Sequence, residues 1–392
     1  MKIFSLLGSL LGIVLWQLGA LCTICAMFVN TPSCMAQTIT LTSPPNGGNQ
    51  KSSVTQWIGL ASVTITYHGP DVHDPQGKDR KGHIWGELVP YGLQDPGFGT
   101  SLAAPWRTGS NEITTVAVSH DVKINGSNLK AGVYGLFLLL DKEKSWTWIF
   151  SKNSTSWGSY YYTPDEDVLR VEAKPEECAY TEWLTFGFDD RQGSSVTAYL
   201  QWENKRISFK VDVPNATQLY VEQMRAELTS YAGFNPANWL NCARFCLNNK
   251  TNLEEALKWV NISMDTKRFN GQKSFLAMQT KSDILTLLNR SAEAETLMNE
   301  AMNTASVAEI HQYGRSLLAA GKNERALEVF KLNRQRHKED TFTTFVGLAR
   351  GYAALGNKNE AIKNWETALK NVPEEQKANI PTFEAELKKL RQ

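Results

Sequence analysis

The densest group of residues able to do chemistry is Trp106-Arg107-Thr108-Gly109-Ser110-Asn111-Glu112, preceded by Leu88-Val89-Pro90-Tyr91-Gly92. A guanidinium presents a planar fork of donors, and an aromatic ring beside it offers a flat face, so together they hold polar ligands well. Arg107 and Glu112 can pair across this loop, with the Asn111 amide alongside. Trp106, Arg107, Asn111 and Glu112, with Tyr91 and His68, are therefore the candidate ligand-binding residues for a small polar or glycan ligand. The same Arg, Glu and Asn can equally serve as a staple between loops. As catalysts, Glu112 would act as general acid or base and Arg107 would stabilise charge, with His68 a further candidate.

Three other groups carry weaker signals. His68, Asp71, His73, Asp74, Asp79 and His83 combine imidazole with carboxylate, the ligands of zinc and related metals. No pair among them has helix-face ligand spacing, and Asp71 to Lys81 reads as a solvated polar loop, so no metal site is assigned. Eight Trp lie between Trp57 and Trp202, with Tyr160-Tyr161-Tyr162 among them. Such rings can form a sugar platform, but Trp146 and Trp148 share a sheet face by period two and read as core. Outside the first 36 residues the cysteines are Cys178, Cys242 and Cys246, an odd set without disulfide or zinc spacing. Cys242 and Cys246, four apart, read as packing on a helix face. Gly-x-Ser-x-Gly, phosphate-loop, dinucleotide and His-Glu-x-x-His motifs do not occur, and no cofactor is implied.

The elements that must position these residues fall into two kinds. From about Val54 to Val213 the pattern alternates, as in Val63-Thr64-Ile65-Thr66-Tyr67, Thr114 to Val118, Val168 to Val171 and Ile207 to Val213. Asn125-Gly126 is a hairpin signal, because a type I′ turn needs positive φ at both central residues. Recurrent strands without helical period between them predict an antiparallel β-sandwich or barrel-like domain. From Thr217 the period becomes helical. Ala256, Ala294, Ala326 and Ala361 recur at spacings of 38, 32 and 35, close to the tetratricopeptide period of about 34. Four stacked helix hairpins with a charged closing helix near Phe383 to Leu390 are expected, an all-α tetratricopeptide-like solenoid. The chain thus divides into 1–36, 37–214 and 215–392.

Residues 1–36 read as a signal peptide or N-terminal membrane anchor: Lys2 precedes an apolar run from Ile3 to Val29, and Cys34-Met35-Ala36 supplies small residues for cleavage. A lipoprotein leader is a third reading. Each places the remainder outside the cytoplasm, in the periplasm or cell envelope of a Gram-negative bacterium, with membrane contact only through this segment if it is uncleaved. The formal net charge of +1 over 392 residues gives no reason to expect a nucleic-acid partner.

Tyr67-x2-Pro70, Gly86-x-Leu88-Val89-Pro90-Tyr91-Gly92, Trp106-Arg107-Thr108-Gly109-x-Asn111-Glu112-x-Thr114, Asn125-Gly126, Ala131-Gly132-x-Tyr134, Trp157-Gly158 and Asp167-Val168-Leu169-Arg170-Val171 occur in that order. Over about Ser43 to Val213 this resembles the bacterial exported family catalogued as domain of unknown function 2911, sometimes followed by tetratricopeptide-like repeats. The resemblance implies export and a β-rich fold, and brings no catalytic residues with it. The chain departs from that pattern at Gly69, where the family usually has Arg, and at Leu93 to Pro105, which looks like an insertion and reads as a lid or a tolerated surface loop. The expected function is an envelope protein, non-enzymatic, whose β domain binds a ligand and whose repeats bind a protein or peptide. An envelope hydrolase acting on a glycan or peptide-like substrate is the alternative.

Overall fold

A computed structural model describes residues 49–74 and 76–392; the segment 1–36, expected to be a signal peptide or anchor, lies outside them. The chain separates into two compact units between Pro214 and Asn215. No helix among the described residues is long and apolar enough to cross a membrane.

The first unit is a β-sandwich. Strands β1 (Gln50–Ile58), β2 (Ala61–Gly69), β3 (Thr115–Val118), β6 (Gly132–Leu139), β7 (Trp146–Ser151) and β8 (Asp167–Ala173) form one antiparallel sheet in the order β1-β2-β3-β6-β7-β8. Strands β4 (Val122–Ile124), β5 (Ser127–Leu129), β9 (Glu176–Asp189) and β10 (Ser195–Asp212) form the second, ordered β5-β4-β10-β9. Alternation in β2 turns Ala61, Val63, Ile65 and Tyr67 inward. Aromatic contacts then join the sheets: Tyr67 lies 5.0 Å from Phe186, Trp148 5.3 Å from Phe209 and Phe150 5.5 Å from Phe209, between ring centroids. Each such pair adds about 0.5–1.5 kcal/mol to the area it buries. Asn125 and Gly126, at φ 46° and 86°, form the β4–β5 turn as their chemistry requires.

Strand β6 is buried on both faces, which accounts for its unbroken apolar run. Phe137 and, on β7, Ile149 face away from the second sheet and are covered by Ala104, Ile113 and Tyr162. This covering layer includes the Leu93 to Pro105 segment. It is held down at both ends: Gln94 bridges Ala104, and the amides of Thr100 and Ser101 donate to the Tyr160 carbonyl at 2.9 and 3.0 Å. Gly99, at φ 82°, passes so close to Tyr160 that a Cβ would overlap its carbonyl oxygen. The segment is a pinned cover of the outer sheet face.

The second unit is all helical: α1 (Ala216–Leu228), α2 (Pro236–Asn248), α3 (Leu253–Ser263), α4 (Phe275–Leu287), α5 (Ser291–Thr304), α6 (Val307–Ala319), α7 (Asn323–Arg336), α8 (Thr343–Ala354), α9 (Lys358–Lys370) and α10 (Ile380–Arg391). Helices α2 to α9 pair as four consecutive hairpins, and α10 closes the array against α9. The recurring alanines Ala256, Ala294, Ala326 and Ala361 are buried on the second helix of each hairpin. Small residues there let neighbouring backbones approach. Phe330 fills one such junction, gripped by Gly314 and Gly347, where a Cβ would stand 2.4 and 2.5 Å from its ring. Cys246 is buried on α2 and Cys242 half-buried, and burial pushes both thiols up to about 11. That is the packing role expected of them.

Candidate functional site

At one edge of the sandwich a cleft of about 260 Å³ opens between Trp106, Arg107, Gly109 and Ser110 on one wall, Pro70, Asp71 and Arg80 on another, and Leu88, Val89 and Trp202. Its aromatic side is built from elements far apart in sequence. Trp106 stacks on Trp202 at 6.2 Å and 19°, while Trp85 meets both edge-on at 5.8 and 5.9 Å. Trp202 is wholly buried, and its indole N–H and that of Trp85 have no partner among the described residues.

The loop that carries Arg107 is held in a conformation that L-residues rarely adopt. Trp106 exchanges both backbone hydrogen bonds with Leu138 (3.2 and 2.9 Å), continuing the sheet beside β6. The chain then turns sharply, with Thr108 at φ 55° and Asn111 at φ 57°. For a β-branched residue that is a genuine outlier, costing about 1–3 kcal/mol, and it persists only where the surroundings over-determine it. They do so here: the buried Thr108 hydroxyl donates to the Leu136 carbonyl at 2.9 Å, and the Thr114 hydroxyl donates to the Thr108 carbonyl at 3.1 Å. The Ser110 amide reaches the His68 carbonyl at 3.1 Å, and a Cβ on Gly109 would stand 2.8 Å from the same oxygen.

Arg107 is the exception in this well-bonded loop. Its Nε is buried without a hydrogen-bond partner among the described residues. Burial pushes the guanidinium below its ordinary pKa, with Tyr160 a weaker opposing influence and no carboxylate taking part. Its back rests on Gly158, at φ 61°, where a Cβ would come within 3.1 Å of Nη1. Arg80, across the cleft, is provided for: it donates to the carbonyls of Val72, Asp71 and His73 at 3.0–3.2 Å and stands 3.9 Å from the Asp71 carboxylate.

The structure separates the six sequence candidates. Trp106 and Arg107 line the cleft. The expected Arg107–Glu112 pair does not form: the left-handed turn at Asn111 carries Glu112 to β2, where the His68 Nε2 lies 3.1 Å from its Oε2. Burial lowers the His68 pKa, Glu112 acts in the opposite sense, Lys51 adds to the lowering, and the net shift is downward. Asn111 serves the turn by its backbone. Tyr91 points elsewhere, with its ring against Gly86 and a separate surface depression near Lys142. Trp202, Arg80 and Ser110 were not singled out from sequence. Trp202 sits in the alternating run Ala198, Leu200, Trp202, a pattern that reads only as core.

The polar loop between His68 and His83 is tied to its surroundings. His73 Nδ1 lies 2.6 Å from Glu182 Oε1, and the Tyr180 hydroxyl lies 2.5 Å from Oε2 of the same carboxylate. Tyr180 and His73 together hold Glu182 down at about 2. Asp74 accepts from the amides of Gln76 and Lys78 at 2.9 and 2.8 Å. No group of three or more His, Cys, Asp or Glu converges as metal ligands do among the described residues. At Gly69, where the resembled family usually has Arg, a Cβ would stand 2.6 Å from the Leu184 carbonyl oxygen. The chain passes too close to β9 there for a side chain.

The model of a family described as a protein of unknown function (DUF2911) matches residues 49–211. The match therefore covers the sandwich and ends before the helical unit. No curated protein matches the chain.

Proposed function

We propose that this is an exported envelope protein that binds without transforming. Its β domain holds a small polar or glycan ligand in the Trp106–Arg107 cleft, and its helical repeats engage a protein or peptide partner. The observation that carries the first part is Arg107: a guanidinium beside a tryptophan stack, in a cleft, with no acceptor for its Nε among the described residues. A chain that only needed a staple would have given that charge a partner, because an uncompensated buried charge costs several kcal/mol. The strained backbone of Thr108, the residue directly after Arg107, supports the same reading, since such strain gathers at ligand sites. Hydrolysis would need Glu112 and Arg107 on one substrate, and their division between the cleft and the His68 flank favours binding.

The test is tryptophan fluorescence of the whole chain titrated with small polar compounds and oligosaccharides. A saturable change lost in Trp106→Ala supports the reading. Turnover of any of these compounds that disappears in Glu112→Gln would replace it with the hydrolase. The partner role rests on the repeat architecture, whose stacked hairpins present an extended surface. It predicts a defined binder for the whole chain that residues 1–214 alone do not retain.

A further inference from the structure

The ligand's charge can be read from what the cleft lacks. We infer that the cleft is an anion site, built for a small molecule that carries a single carboxylate beside a flat ring face. This rests on the reading of the cleft as a ligand site. The titratable residues that line it are Asp71, Arg80 and Arg107. Arg80 and Asp71 face one another at 3.9 Å, and three carbonyls further occupy Arg80. What remains is one positive charge, on Arg107.

No part of the chain supplies the missing anion. The first acidic side chain in the sequence is Asp71, so all 40 Asp and Glu lie among the described residues. None of them pairs with Arg107, although twelve other Arg and Lys side chains and four His do find carboxylate partners within 3.5 Å. The leader and the stretch up to Gly48 contain no acid at all. The charge must be met from outside.

The surroundings select among anions. Arg107 is backed by Gly158, where only the absence of a Cβ leaves the guanidinium its position. The fork is thus fixed in orientation, as a planar bidentate acceptor requires. Trp106, stacked on Trp202, supplies the adjoining flat apolar surface, which suits a ring face. On the cleft wall the Ser110 hydroxyl donates to the His68 carbonyl at 3.3 Å, so its oxygen and the Asp71 carboxylate are left to accept from ligand hydroxyls. A monoanion balances the site, whereas a dianion such as phosphate overcharges it.

The test uses two isosteric pairs of probes that differ in charge, benzoate with benzamide and glucuronate with glucose. Thermal unfolding of the whole chain is followed by tryptophan fluorescence at constant ionic strength in chloride. At least one carboxylate should raise the midpoint by about 3–5 °C at roughly ten times its dissociation constant, and its neutral partner should not. Arg107→Met should abolish the rise, and Arg107→Lys, which keeps charge but loses the fork, should weaken binding at least tenfold. Equal response to the charged and neutral members overturns the anion inference and leaves the cleft a ligand site. Inorganic phosphate serves as a fifth probe, and a larger response to it overturns the choice of carboxylate. No response to either carboxylate overturns the inference outright, and a destabilised Arg107→Met in chloride alone overturns the ligand site with it.

Discussion

Three half-buried arginines show how differently the two units treat the same group. In the helical unit, Arg334 donates to the carbonyls of His337 and Asp340 and to the Thr344 hydroxyl, and lies 4.4 Å over the Phe345 ring. Arg350 forms a two-point pair with Glu386 of α10 and lies 5.6 Å from the Trp365 ring. In the sandwich, Arg107 has a tryptophan beside it and, among the described residues, no acceptor for its Nε. The chain can provide for a buried guanidinium, and at one position it does not. Where local rules are kept the residue serves the fold, and where they break without compensation the residue is free to serve something else.

The largest effect should come from removing a provided arginine. Arg334→Met strips the Asp340, His337 and Thr344 oxygens of their donor, and should cost the helical unit about 2–4 kcal/mol in urea unfolding. A cost below about 1 kcal/mol would erase the contrast with Arg107. Next comes an exception in the helical unit, His311 on α6, whose Nδ1 is buried without a partner among the described residues and whose pKa burial lowers to about 4, helped by Arg350 and Arg315. A base with a depressed folded pKa is neutral in the fold and takes up a proton on unfolding. Its contribution is therefore complete above the unfolded value of about 6.5 and is lost as the pH falls toward 4. The unfolding free energy of the helical unit should fall over that window by up to about 3 kcal/mol, and His311→Phe should flatten the dependence.

Within the sandwich, Gly158→Ala brings a Cβ to within 3.1 Å of Arg107 at a positive φ. It should cost about 1 kcal/mol and weaken ligand binding more than its stability loss explains, because the guanidinium must shift. Smaller still is Glu112→Gln. Its partner His68 is nearly buried but Glu112 is about half open to solvent, and such pairs contribute about 0–1 kcal/mol. The measurable change is in His68, whose imidazole pKa should fall further once the carboxylate that raises it is gone. Nuclear magnetic resonance titration of the ring would show it, and an unchanged His68 would mean that the pair is not formed in solution.

The sequence shows the regular parts of both units, because their rules are local. Alternation at Val63 to Tyr67, positive φ at Asn125-Gly126 and the recurring Ala256 to Ala361 each follow from a short window. Trp106 and Arg107 were visible as a dense motif. Their true neighbours were not. Trp202 reaches the cleft from β10 and Arg80 from a loop, and only the packing of the sheets brings them together. The Arg107–Glu112 pairing failed for a local reason that spacing hides: Asn111 takes a left-handed conformation and sends Glu112 to His68. The unpartnered state of Arg107 is a property of everything around it, and no window of sequence contains that.

The most direct measurement is therefore the thermal unfolding of Arg107→Met against the unaltered chain, in chloride, with no ligand added. Removing a guanidinium that binds an external group should leave the midpoint unchanged or raise it. A fall corresponding to about 3–5 kcal/mol, the penalty for breaking a buried pair, would contradict the account and make Arg107 a staple of the fold.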